Sequence, residues 1–114
     1  MKKLTVVYAA SLLFLSLNVF AEPHLDQAIE HTTAAIEHGK AGHASVLVEH
    51  ATPALEHALA GAVVARGVAK SHTDNAVTDL EQAIKHGKEG NDHVGVATTY
   101  AETALEHLKA ANKK

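Results

Sequence analysis

The residues with chemistry to offer are histidines, and they stand on a seven-residue grid. His24, His31 and His38 form one series, and His43, His50 and His57 a second. A third runs through His72, Asp79, His86, His93, Tyr100 and His107. All ten histidines of the 114-residue chain belong to this grid. Imidazole titrates near neutrality and is the commonest protein ligand for transition metals. A regular array of it therefore points to metal binding. The unit that carries it is Ala54-Leu55-Glu56-His57, repeated as Ala104-Leu105-Glu106-His107, with looser copies ending at His31, His38 and His86.

Spacing limits how such an array can work. Histidines seven apart on one helix are separated by about 10 Å along the axis, whereas a ligand nitrogen lies about 2 Å from its metal. No helical histidine has another at i+3 or i+4, so the intrahelical HExxH arrangement is absent. A strong site must form between helices. Folding the chain about residues 39–42 faces His38 with His43, His31 with His50 and His24 with His57. A fold about residues 87–92 faces His86 with His93, Asp79 with Tyr100 and His72 with His107. Each two-histidine rung is a candidate site, with Glu37, Glu49, Glu56, Glu89, Asp92 or Glu106 and water completing the shell. Two imidazoles plus oxygen suit Cu(II), Ni(II) or Zn(II), with Cu(II) the tightest, and the lack of thiolate or thioether disfavours Cu(I). The metal ligands expected are thus His24, His31, His38, His43, His50, His57, His72, His86, His93 and His107.

The elements that must position these residues follow from the apolar pattern. With Leu25 at heptad position a, the alanines 28, 35, 54, 76, 83, 97 and 104 and Leu47 fall at d. Ile29, Ile36, Val48, Leu55, Val77, Ile84 and Leu105 fall at e, the glutamates 30, 37, 49, 56 and 106 at f, and every histidine at g. This predicts amphipathic helices with a core arc of a, d and e, a solvated face of glutamates and histidines bordering the core. Residues 24–42 match 72–90 at an offset of 48, and residues 43–57 match 93–107 at 50. The chain therefore reads as an all-α, up-down four-helix bundle of two repeated hairpins, over 23–61 and 71–111, with a connector at about 60–71. Gly39 and Gly87 are expected at helix C-termini. Pro53 should kink or locally break the second helix. The second helix either reaches Arg66 with Gly67 as its cap or frays from Gly61. Ser71-His72-Thr73-Asp74 resembles a capping box opening the third helix, and Asn91 or Asp92 can cap the fourth.

Residues 1–21 read as a secretory signal peptide, with Lys2-Lys3 before an apolar run and Val19-Phe20-Ala21 at the cleavage site. The mature domain, 22–114, is expected in the periplasm. It keeps 8 basic and 13 acidic side chains, a net charge of −5 with histidine neutral. That balance excludes a nucleic-acid role and suits cations. No stable membrane insertion of the mature chain is expected, and no protein partner is inferable. Without cysteine, a Ser/His/Asp signature or a three-ligand catalytic metal spacing, the chain is not expected to be an enzyme. The alternative to metal buffering is a periplasmic pH-responsive or chaperone-like bundle.

The leader, the His-Gly-Lys-x-Gly turns at 38–42 and 86–90, and the stretch from His93-Val94-Gly95-Val96-Ala97 to Ala104-Leu105-Glu106-His107 closely resemble the bacterial small metal-binding proteins. The resemblance covers essentially the whole mature chain. It implies a periplasmic helical bundle binding several divalent metals, copper foremost, in homeostasis or detoxification. Family members look richer in histidine, so Asp79, Tyr100 and the histidine-free connector imply a lower capacity here.

Overall fold

The computed structural model describes residues 21–113; the signal-peptide reading, apart from Ala21 at its end, lies outside them. Four helices follow one another: α1, Ala21–Lys40; α2, Ala44–Val64; α3, Gly67–Lys88; and, after a 3-10 turn at Asn91–His93, α4, Val94–Ala111. α1 packs on α2, α2 on α3, α3 on α4 and α4 back on α1, while the α2–α4 diagonal touches weakly. This is the expected four-helix bundle of two antiparallel hairpins.

The core is narrower than the expected arc. Positions a and d carry the sealed residues, with Leu25, Ala28, Leu47, Ala54, Leu80, Ala104 and Leu108 at 0–1% exposure, while Val94 at a is half-buried. Ile36 at e is also buried, but Ile29, Val48, Leu55, Val77, Ile84 and Leu105 are only half-buried. Alanine at d draws the helices together, and the close approach pushes e out to a rim. Position g forms the opposite rim. Eight histidines there are half-buried, while His43 and His93, at the turns, are exposed. The glutamates at f face solvent as expected.

Several helix ends differ from the local signals. Gly39 and Gly87 do not terminate helices; they lie buried within α1 and α3. A Cβ on Gly39 would overlap Thr98 Oγ1 and stand 2.7 Å from Leu47 Cδ1, and one on Gly87 would stand 2.6 Å from Val48 Cγ2. These glycines are required by the close approach of the two hairpins. At the two hairpin turns the left-handed residues are Gly42 (φ 83°) and Gly90 (φ 105°). At Gly42 the termination is a Schellman motif, with the Gly42 N–H donating to Gly39 O (3.0 Å) and the His43 N–H to His38 O (2.9 Å).

The connector is two extended residues, Ala65 and Arg66, rather than 60–71. α3 opens four residues before the capping-box sequence, at Gly67 with φ 60°. The extra turn packs Ala69 on the core, and the Ala69 carbonyl accepts a bond from Thr73 Oγ1 at 2.7 Å. Burial and added backbone bonds outweigh a cap worth about 1 kcal/mol. α2 continues through Pro53 unbroken. The N–H that proline lacks would have served Glu49 O, on the solvated face, where water can take its place. Asn91 caps, but across the hairpins: its Oδ1 accepts from the Ala44 N–H at 2.9 Å, while α4 has His93 as its N-cap residue and no side-chain cap.

Candidate metal centre

Position g places the histidines of antiparallel neighbours on one seam. In the first hairpin the three expected partners meet, with ring centroids 5.9 Å apart for His24 and His57, 6.4 Å for His31 and His50, and 6.3 Å for His38 and His43. The Schellman bond sets the last pair, since it ties the His43 backbone to that of His38. The seam is staggered, however, and diagonal neighbours stand as close. His31 stacks on His57 at 5.8 Å and His38 on His50 at 5.1 Å, with ring planes 6° and 3° apart.

In the second hairpin His72 and His107 meet with Nδ1 atoms 3.0 Å apart. Neutral imidazoles at that distance share one proton, the two rings in opposite tautomers. Two nitrogens 3.0 Å apart and each about 2.0–2.1 Å from an ion would subtend about 95° at it, an ordinary coordination angle. His86 and His93 face each other at 5.8 Å. The expected Asp79–Tyr100 rung is drawn along the diagonals instead. Tyr100 stacks on His86 at 5.6 Å, and the Asp79 carboxyl, pushed up by burial, is pulled down by His107.

Among the described residues, three donors converge at one place, His86, Glu89 and His93. Glu89 Oε1 lies 3.3 Å from His86 Nδ1 and 3.2 Å from His93 Nδ1. His86 Nδ1 is buried and without a hydrogen-bond partner, because the carboxylate is near it but off its bonding direction. A cation among the three atoms would satisfy both the nitrogen and the charge. The two N–O distances, 3.3 and 3.2 Å, suit donors about 2.1 Å from a common ion. The two-residue insertion in this turn, Asn91-Asp92, makes room for Glu89 between the imidazoles. At the matching place in the first hairpin stands Ala41. Glu89 was one of six carboxylates equally available by sequence. What selects it is the 86–93 turn, which carries it to the seam while Glu37, Glu49, Glu56 and Glu106 stay on the solvated face. Asp92, also exposed, is not among the converging donors.

The proton affinity of His57 is lowered. Burial lowers its pKa, His24 and His31 lower it further by repulsion, and Glu56 pulls the other way. A depressed imidazole pKa keeps the metal-binding neutral form populated to lower pH.

A protein-family model described as small metal-binding protein matches residues 1–111. Comparison with curated proteins gives no match.

Proposed function

From the premise that the chain belongs to the small metal-binding protein family, we propose that it binds and buffers divalent transition-metal ions in the periplasm, Cu(II) foremost, with Ni(II) and Zn(II) as weaker cargo. The observation that carries this reading is the donor set at the second turn. Nδ1 of the half-buried His86 and of the exposed His93 lie 3.3 and 3.2 Å from one carboxylate oxygen, and the buried His86 nitrogen has no hydrogen-bond partner. Nitrogen with oxygen and no sulfur ranks Cu(II) first among divalent ions. Few protein ligands at a partly exposed seam make the ions exchangeable, which suits buffering, homeostasis or detoxification rather than catalysis. The remaining two-histidine pairs add capacity. The periplasmic placement rests on the leader-like residues 1–21. Among the described residues no helix is long and apolar enough to cross a membrane.

Calorimetric titration with Cu(II) at neutral pH, followed by electron paramagnetic resonance, tests the assignment. We expect nitrogen-coupled copper signals, a Kd tighter than about 1 mM, and release on acidification as the imidazoles are protonated. Binding that lacks nitrogen coupling, or that survives full protonation of histidine, overturns it.

A further inference from the structure

The imidazoles of the first hairpin form one unbroken file. From neighbour to neighbour it runs His24, His57, His31, His50, His38, His43, alternating between α1 and α2, with centroid separations of 5.9, 5.8, 6.4, 5.1 and 6.3 Å. Rungs and diagonals are therefore equivalent in reach. The cause is the antiparallel stagger: residues seven apart on one helix leave a gap of about 10 Å, and the partner helix places a ring near its middle.

Each of the five gaps is of a width that two imidazoles on one ion adopt. A ring centroid sits about 3.2 Å from a metal bound at its nitrogen, so two rings span about 4.5 Å at a right angle and about 6.4 Å when opposed. All five separations fall between those limits. Rotation about the broad χ2 of histidine aims the nitrogens into either adjoining gap.

Resting on the metal-binding reading above, we propose that these six histidines are a single shared track of five overlapping divalent-metal sites, including His31/His57 and His38/His50, along which an ion moves by exchanging one imidazole at a time. Every inner histidine serves two sites, so occupied gaps cannot adjoin. One ion has five placements, two ions have six, and three ions have only one. For gaps of equal intrinsic strength, stepwise affinity then falls about 30-fold from the first ion to the third, against about 9-fold for three independent rungs, by mass action alone. The first ion is held against many alternatives of position, and the last is readily given up. The second hairpin has no such track. Asp79 and Tyr100 interrupt it, leaving His72/His107 and His86/Glu89/His93 as separate, fixed sites.

Counting bound Cu(II) by native mass spectrometry in the whole protein separates the two arrangements. The double variant H24A/H43A removes both ends of the file and keeps His57, His31, His50 and His38. A shared track still accepts two ions on the two diagonals, so this variant loses one ion relative to the parent. Independent rungs leave only His31/His50, and it loses two. H31A/H50A loses one ion under either arrangement and calibrates the count. Circular dichroism verifies folding, and H24Q/H43Q repeats the measurement with side chains of closer size. A loss of two ions in the folded end variants overturns the track while leaving metal binding intact. A parent protein that takes up no Cu(II) overturns the metal-binding reading itself.

Discussion

Glu89 distinguishes the two hairpins at the level of single residues. It is the carboxylate that converges with two imidazoles, whereas the first hairpin offers imidazole alone along its seam. Changing it to glutamine keeps the shape and removes the charge. Loss of a ligating carboxylate should weaken Cu(II) at His86/His93 by at least the tenfold or so typical of losing a supporting partner. A local reporter exists. Tyr100 stacks on His86 at 5.6 Å, and it is the sole tyrosine among the described residues. Its emission should be quenched as copper fills that site. In Glu89→Gln the quenching midpoint should move to higher copper concentration. An unmoved midpoint would mean that Glu89 does not ligate. This preference is invisible in sequence, where six carboxylates are equal candidates, because the seven-residue grid does not say which turn returns its side chain to the seam.

At the level of elements, the heptad decides which side chains reach the seam, and glycine decides how near the hairpins come. Gly39 is legible in the sequence as a turn residue by its place after His38; its neighbours across the bundle give it a different role. In Gly39→Ala the added methyl meets Thr98 and Leu47, an overpacking expected to cost about 1–3 kcal/mol. Gly95, in the first turn of α4, has nothing within 4 Å of a built Cβ, and Gly95→Ala should stabilise by up to about 1 kcal/mol through lost backbone freedom in the unfolded chain. Urea unfolding of the two variants reads both signs. Equal effects would remove the close-approach explanation for Gly39.

The whole molecule joins its hairpins through side packing of α2 on α3 and α1 on α4, and through the Asn91 bond to α2. Its stability is tied to pH through His57. His57 has a folded-state pKa below the ordinary 6.5, first from burial and then from His24 and His31. The unfolded chain therefore binds more protons there, so the stability His57 contributes is complete above pH 6.5 and is lost as pH falls through the lowered folded value. Asp79, raised from 3.8, acts in the opposite sense: its contribution is complete below 3.8 and lost as pH rises through the raised value. Thermal melts of the metal-free protein should thus fall in midpoint from about pH 7.5 to about pH 5.5, in the range where histidine charges. His57→Gln should flatten that slope. An unchanged slope in the variant would place the acid sensitivity elsewhere on the seams.

The sequence by itself determined the helices, the pairing of hairpins and the rim on which every histidine stands, because a repeat of seven carries side-chain direction directly. It also exposed which histidines would meet: the rungs follow from where the chain turns. Only the tertiary structure decided what depends on distances between elements. The stagger that makes diagonals equal to rungs, the convergence of Glu89 on His86 and His93, the reach of Asn91 to Ala44, and the start of α3 at Gly67 are all set by how closely alanine-lined helices pack. Local signals such as the capping box are worth about 1 kcal/mol, and they yield where packing offers more.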